Sequence, residues 1–179
     1  MKKTRIQNIQ TLALLGMLTA IEIVLSRFCS ISAWNVKISL SFLPVAAAAM
    51  LCGAAPAAAV AALGDFVGAI LFPIGAYFPG FTLTAALTGA LFGLLLHQKR
   101  TPVRIAAAAA VNQLVLSLML NTLWISILYG SPYGPLFLTR SVQTLVMLPV
   151  QLVTLGVMAR VLDRCGKRAA AVNLFFIPL

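Results

Sequence analysis

The stretch "ILFPIGAYFPGFTLTA", residues 70–85, lies between two long apolar runs and interrupts the helical pattern of both. It contains two prolines, two glycines and four aromatic residues. Proline cannot continue a helix beyond its first turn and glycine favours tight turns, so the stretch predicts a connection between two helices. A loop that only joins helices is generally polar. The four rings therefore favour a second role, as one wall of a binding pocket.

The composition indicates an integral membrane protein. Of the 179 residues, 61% are hydrophobic and 9% are charged, whereas about a quarter of the residues in a soluble domain are charged. A hydrocarbon core of about 30 Å requires about 20 apolar residues per helix, so about five to seven spans would use nearly the whole chain. We expect an all-α polytopic membrane protein in which residues 1–179 form a single domain.

Apolar runs bounded by proline, glycine and charge predict six transmembrane helices in one compact bundle. The helices are expected at about residues 9–27, 39–52, 55–72, 81–97, 103–128 and 137–162. The first resembles a signal peptide, but its apolar stretch is too long and no A-x-A cleavage site follows it. We interpret it as a retained helix.

The basic residues stand in short clusters between the apolar runs, which argues against nucleic-acid binding as the reason for the net charge of +10. With an even number of spans, the clusters fall on one side, which the positive-inside rule identifies as the cytoplasm. Both termini are therefore predicted to be cytoplasmic. The clusters comprise Lys2, Lys3, Arg5, Lys99, Arg100, Arg104, Arg164, Lys167 and Arg168.

The predicted extracellular face is rich in aromatic residues. Trp and Tyr form belts at membrane interfaces, but a belt normally occupies both faces and the cytoplasmic side has few rings. We favour the alternative, that the rings line a cleft for a flat ligand that opens to the outside of the cell. They are Phe28, Trp34, Phe72, Tyr77, Phe78, Phe81, Tyr129 and Tyr133.

Polar residues recur at helical spacing on the last two helices. Because polar groups are costly in hydrocarbon, each needs a partner. Hydrogen bonds between packed helices explain the deeper residues Gln113, Gln151 and Thr154 as well as ligand contact does. Ligand contact is favoured for Asn121, Gln143 and Arg140, which lie near the predicted outer mouth. The complete stripes are Gln113, Ser117, Asn121 and Trp124 on the fifth helix, and Arg140, Gln143, Met147, Gln151 and Thr154 on the sixth.

Charged residues within or beside the spans are few. Arg27 and Arg140 either extend to the lipid headgroups or form a cationic rim that binds an anionic ligand through paired hydrogen bonds. Glu22 and Asp65 are the only acids within spans. Asp65 either pairs with an arginine or accepts two parallel N–H bonds from a heterocycle, and the sequence leaves both open.

Sequence motifs give no support for enzymatic chemistry. The chain has no G-x-x-x-x-G-K-[ST], H-E-x-x-H or G-x-S-x-G motif. Its one histidine, His97, lies beside Lys99 and is expected to be solvated. The three cysteines, Cys29, Cys52 and Cys165, lack a C-x-x-C spacing, so we expect free thiols. We predict no catalytic residue, no metal and no cofactor.

Small residues recur every four positions on two helices, which allows close helix packing. On the fourth helix, Ala85, Gly89 and Gly93 are expected to pack within the bundle. On the first helix, Gly16 and Ala20 could instead contact a separate membrane partner.

Three segments together resemble the S component of an energy-coupling factor (ECF) transporter, most closely the folate-specific family. They are "EIVLSRF" with "VKISLSFLPVA" (22–28 and 36–46), "ALGDFVGAILFPIGAYFPGFTLTAALTGALFG" (62–93) and "LNTLWISILYG" (120–130). The resemblance covers nearly the full length. It implies a subunit of the prokaryotic plasma membrane that captures a vitamin, with a transmembrane coupling (T) subunit and two cytoplasmic ATPases as partners.

The resemblance also implies site residues. Gly16 and Ala20 occupy the position of the family's docking surface for the coupling subunit, although Gly16 stands where the family typically has alanine. For a folate, the rings would contact Trp34, Phe72, Tyr77, Phe78 and Trp124. The pterin edge would bind Asn121, Gln143 and Asp65, and the glutamate tail would bind Arg27, Lys37 and Arg140. The loop 28–38 would act as the gate.

Two alternatives remain at this point. An S component for another vitamin is one: cationic thiamine would be repelled by the arginines, whereas riboflavin is neutral and pantothenate is a further candidate. The other is a proton-coupled secondary transporter that uses Glu22 and Asp65 as a relay.

Overall fold

The computed structural model describes residues 2–33, 36–73, 75–98 and 100–175, and the side chains of 9–30, 39–73, 75–98 and 100–164. Six helices and one β-hairpin make up this part of the chain. They are α1 (Lys2–Arg27), β1 (Ser30–Ala33), β2 (Val36–Ser39), α2 (Phe42–Cys52), α3 (Ala54–Leu71), α4 (Pro79–Leu96), α5 (Pro102–Tyr129) and α6 (Tyr133–Phe175). The predicted six-helix membrane fold is confirmed.

Five of the helices are long and apolar enough to cross a membrane, namely α1, α3, α4, α5 and α6. Helix α2 has 11 residues, which is about 16 Å at 1.5 Å per residue. It is therefore too short to cross a bilayer by itself. The chain turns sharply after it, at Gly53, whose φ of 93° favours glycine.

Helices α3 and α4 pack closely through the glycines of α4. A Cβ atom at Gly89 would overlap the backbone of Ala57, and one at Gly93 would overlap the backbone of Ala54. The two backbones can approach this closely only because neither glycine has a side chain. The prediction that the small residues of α4 serve internal packing is confirmed.

The connection between α1 and α2, which was predicted to be a loop, contains two short paired strands. Strands β1 and β2 pair antiparallel, with Ser30 opposite Ser39 and Ala33 opposite Val36. The hydroxyl of Ser39 donates to the carbonyl of Leu25 at 3.1 Å, which ties the end of the hairpin to α1.

Contacts at one end of the bundle join four segments of the chain. The His97 ring packs over Gly53. Arg100 donates a hydrogen bond of 2.9 Å to the carbonyl of Met50, at the end of α2, and pairs with Asp163 of α6. This end contains part of the basic cluster that was predicted to be cytoplasmic, and the orientation of the termini stays a prediction.

Candidate functional site

A cavity of about 860 Å³ lies toward the other end of the bundle. All six helices contribute to its lining. The end of β2, the α3–α4 connection and the α5–α6 connection contribute as well. Because ligand pockets commonly have volumes of about 300–1,000 Å³, this cavity can hold a small organic molecule. Its lining combines two arginines and two acids with aromatic, amide and hydroxyl side chains.

A chain of polar contacts joins α1, α3 and α4 beside the α3–α4 connection. Arg27 Nη2 lies 3.9 Å from Asp65 Oδ1 and donates to the Asp65 carbonyl at 3.3 Å. The Thr82 hydroxyl donates to Asp65 Oδ2 at 2.8 Å and lies 3.2 Å from the Tyr77 hydroxyl. Asp65 therefore does pair with an arginine, while it also lines the cavity.

Glycine makes room for the Arg27 side chain. A Cβ atom at Gly68, one turn after Gly64 on α3, would lie 2.9 Å from Arg27 Nε. Any side chain at this position would displace the guanidinium group. The glycine spacing of α3 thus allows α1 to place a long cationic side chain at the cavity wall.

Aromatic side chains form the wall at the start of α4. Phe78 lines the cavity, whereas Trp124 is not in the lining and its ring centroid lies 5.5 Å from that of Phe78. Trp124 Nε1 donates to the Thr84 hydroxyl at 3.0 Å. A Cβ atom at Gly80 would lie 2.6 Å from both rings. The stretch 70–85 therefore supplies a packed aromatic wall as well as the turn between helices.

The inner part of the cavity is lined by amide and hydroxyl groups. The Thr88 hydroxyl donates to Asn112 Oδ1 at 3.0 Å. Gln151 Oε1 accepts from Asn112 Nδ2 at 3.3 Å and from Gln113 Nε2 at 2.8 Å. Gln113 and Gln151 therefore hydrogen-bond to each other between α5 and α6, which is one of the two roles that the sequence left open for them. The Thr154 hydroxyl bonds instead to Val150 of its own helix at 2.7 Å.

A π-helical segment, Asn112–Leu120, forms the middle of α5. Its i→i+5 hydrogen bonds put more residues in each turn than an α-helix has. Residues four and five apart can therefore point the same way, and Asn112, Gln113, Ser117 and Asn121 all line the cavity. Such segments often occur at functional sites.

Helices α5 and α6 contribute the remaining polar groups. Arg140 is 6% exposed, and its Nη2 lies 3.4 Å from the Ser117 carbonyl. Gln143 is buried on the same helix and also lines the cavity. Opposite them on α5, Asn121 Oδ1 is buried with no hydrogen-bond partner among the described residues. An acceptor without a partner in a cavity wall is suited to bind a ligand donor.

Seven of the residues predicted to bind substrate line the cavity together: Arg27, Asp65, Tyr77, Phe78, Asn121, Arg140 and Gln143. Trp124 is not in the lining. Phe72 lies outside it, 42% exposed and packed edge-on against Phe28. Trp34 and the side chain of Lys37 lie outside the described part of the chain. On α1, Gly16 and Ala20 are exposed, with no atom within 4 Å of a Cβ built at Gly16.

Several lining residues were not among the predicted site residues. Thr84, Thr88 and Asn112 are examples, and so is Glu22, for which the only predicted role is a proton relay with Asp65 in the alternative transporter. Thr84 and Thr88 are four apart on α4, a spacing that places two hydroxyls on one helix face. The sequence shows this spacing, but Ala85, Gly89 and Gly93 on the same helix form a pattern of small residues that draws more attention.

The fold and cavity define a multi-pass protein of the cell membrane with a binding site for a small molecule. The chain belongs to the family of substrate-specific components of ECF transporters, because a family model described as "ECF transporter, substrate-specific component" matches residues 10–159.

Similarity to individual proteins supports the same family. The chain is 33% identical over 159 residues to a folate transporter FolT of Clostridium novyi (strain NT), which covers 88% of this chain and 92% of the relative. It is 30% identical over 145 residues to a folate transporter FolT of Leuconostoc mesenteroides, covering 77% and 78%. A solved structure, "Crystal structure of FolT bound with folic acid", is similar with a TM-score of 0.81 and 32% identity, covering 84% of this chain and 93% of the other.

Proposed function

We propose that this chain is the folate-capture subunit of an ECF-type ABC vitamin importer. The observation that carries the proposal is that two arginines, aromatic rings and amide side chains line one and the same cavity. The names of the relatives point to the same ligand. Residues 1–179 would act as one substrate-binding domain that performs no chemistry itself.

Each part of a folate has a counterpart in the cavity lining. The flat pterin and benzoyl rings suit Tyr77 and Phe78, because aromatic rings attract one another in stacked and edge-on arrangements. The polar edge of the pterin needs partners such as Asn121 and Gln143. The glutamate tail carries two carboxylates, which guanidinium groups bind well.

Among the side chains that the structure describes, Arg27 and Arg140 are the two cations that line the cavity. Arg27 is the better placed for the tail at the mouth, since it belongs to the end of α1, next to the α3–α4 connection. Lys37 would add a third cation and Trp34 a further ring from the segment 28–38, which would close over the ligand. Phe72 and Trp124 would act behind or beside the site rather than in contact with the ligand.

Transport would require partners. A T subunit would dock on the exposed Gly16–Ala20 face of α1, and two cytoplasmic ATPase subunits would supply the energy. Folate would bind from the extracellular side, with both termini of the chain in the cytoplasm.

A binding titration of the purified chain in detergent tests the ligand. Folic acid, riboflavin, pantothenate and thiamine would be added in turn while tryptophan fluorescence and heat release are followed. We expect a one-to-one complex with folic acid that is at least about a hundredfold tighter than any other, a difference of about 2.8 kcal/mol. Tighter binding of another vitamin would contradict the proposal.

An uptake assay tests the mechanism separately. Cells would express the chain with its T subunit and ATPases, and a matched strain would carry ATPases that cannot hydrolyse ATP. We expect labelled folate to accumulate only with active ATPases. Accumulation that persists without them and collapses with an uncoupler would instead favour the proton-coupled alternative.

A further inference from the structure

The π-helical segment of α5 gives this helix one surplus residue. Before the segment, Pro102–Val111 is α-helical, and after it Asn121–Tyr129 is α-helical again. In an α-helix each N–H donates to the carbonyl four residues back, whereas in a π-helix it donates to the carbonyl five residues back. A segment of π type between two α-helical parts is therefore equivalent to one inserted residue, whatever its length.

One backbone carbonyl is passed over where the π pattern ends. The N–H of Asn121 donates to the carbonyl of Leu116, five residues back. In the α-helical part that begins there, the N–H of Thr122 reaches four residues back, to Leu118. Neither N–H reaches the carbonyl of Ser117, so this carbonyl needs a donor from another part of the protein.

Arg140 of α6 supplies that donor. Its Nη2 donates to the Ser117 carbonyl at 3.4 Å. Arg140 is 6% exposed and lines the cavity. A guanidinium group inside a membrane protein is costly without acceptors, and a buried carbonyl is costly without a donor. The contact therefore stabilises both groups.

The outer side of the π-helical segment has no part in the cavity. Leu114 is 47% exposed and Val115 is 43% exposed, and neither lines the cavity. The lining residues Gln113 and Ser117 stand on either side of them in the sequence. One of the two exposed residues can therefore be removed without taking a side chain from the cavity wall.

We propose that the π-helical segment positions Arg140: its surplus residue keeps the Ser117 carbonyl available, and this carbonyl holds the guanidinium group in the cavity wall. In a regular α-helix the N–H of Asn121 would take the Ser117 carbonyl, and Arg140 would lose this acceptor. The expected effect on folic acid affinity rests on the proposed function, whereas the effect on stability does not.

Deletion of Val115 tests whether α5 has a surplus residue. The hydrogen bonds that cross the deleted position would then reach four residues back, so the segment can become α-helical while both ends of α5 keep their places. We expect a folded protein whose melting temperature in detergent equals or exceeds that of the wild type.

Deletion of Val157, a 54% exposed valine of α6, is the matched control. Its helix has no π-helical segment among the described residues, so the deletion turns the following residues by about 100° around the helix axis. Ala159, which is 3% exposed, would leave the core. This deletion should lower the melting temperature by about 5 °C or more.

A ligand-free cycle that combines the deletion of Val115 with Arg140→Met tests the contact itself. Methionine is apolar and has no hydrogen-bond donor. In the wild type, Arg140→Met leaves the Ser117 carbonyl without this donor, whereas in the deletion protein Asn121 already pairs with it. Arg140→Met should therefore lower the melting temperature by at least about 2 °C less in the deletion protein. Contacts of Arg140 that are the same in both proteins cancel in this comparison.

Two results would overturn the inference. One is an equal loss of melting temperature on Arg140→Met in both proteins. The other is a Val115 deletion that is as damaging as the Val157 deletion, or that prevents folding, because α5 would then have no residue to spare.

Folic acid titrations extend the cycle to the proposed function. Deletion of Val115 should weaken folic acid binding by about threefold or more, and Arg140→Met should then weaken it by a smaller factor than in the wild type. A folded deletion protein with full affinity for folic acid would also overturn the inference. Wild-type protein that does not bind folic acid contradicts the proposed function, whereas a ligand-free cycle without coupling contradicts only the role of the π-helical segment.

Discussion

Replacing Arg140 by alanine should remove a cation from the wall of the cavity. The side chain is 6% exposed and lies beside the Ser117 carbonyl. A hydrogen bond to a charged group contributes about 1.5–3 kcal/mol, which corresponds to about 10- to 150-fold in Kd. We therefore expect Arg140→Ala to weaken folic acid binding by at least about tenfold.

The assay is calorimetric titration of purified protein in detergent. Arg160→Ala, an exposed arginine on the same helix α6 and outside the cavity lining, is the matched control and should bind as the wild type does. A ligand without the glutamate tail would show whether Arg140 contacts that tail, because its affinity should then change little.

Removal of Arg140 could also alter the bundle, so thermal unfolding of both variants should be recorded. Unchanged folic acid affinity in a folded Arg140→Ala protein would remove Arg140 from the site. It would also mean that the buried cation in this wall does not serve the ligand.

Three further changes test other parts of the account. Gly93→Ala should lower the free energy of unfolding by about 1–3 kcal/mol, as overpacking does, because the added carbon overlaps Ala54. Trp124→Phe should reduce the fluorescence change on binding while it weakens affinity less than Phe78→Ala does, since Phe78 lines the cavity and Trp124 does not. Gly16→Leu should leave folic acid affinity unchanged but reduce folate uptake at least about tenfold, measured with the T subunit and ATPases present.

The two glycine changes have controls at Gly156 in the same chain, and Phe78→Ala serves as the comparison for Trp124→Phe. Gly156→Ala should leave thermal stability equal or slightly higher, because alanine favours the helix and no atom is within 4 Å of the added carbon. Gly156→Leu is the control for Gly16→Leu and should support normal uptake. Normal stability of Gly93→Ala, equal affinity loss in Trp124→Phe and Phe78→Ala, or normal uptake with Gly16→Leu would contradict the respective prediction.

The helices were predictable because their causes are local. Long apolar runs bounded by proline and glycine predicted all six, and the fourfold spacing of Gly89 and Gly93 predicted the close packing of α4. The hairpin was missed because its strands have four residues each. Their pairing depends on contacts between two separate short segments, which a scan for long apolar runs does not detect.

The site was predictable only in part, because the sequence does not show in which direction an aromatic side chain of a loop points. Tyr77 and Phe78 line the cavity, whereas Phe72, six residues before Phe78, packs against Phe28. Glu22 does not belong to a series of polar residues at helical spacing in the sequence. Its place beside Gly64 depends on how α1 packs on α3, which is a tertiary property.

The π-helical segment of α5 could also not be predicted from the local sequence. The sequence stripe of Gln113, Ser117 and Asn121 was recognised at a spacing of four, but Asn112 was not assigned to the same face. A wider helical turn brings it there. The change in hydrogen bonding has no clear signature in the sequence.

A structure of the chain with folic acid would show directly whether the cavity is the folate site. We expect density for one ligand in the cavity, with its rings against Tyr77 and Phe78 and its glutamate tail within hydrogen-bond distance of Arg27 or Arg140. A ligand seated elsewhere on the protein, or a cavity that stays empty at saturating folic acid, would contradict it.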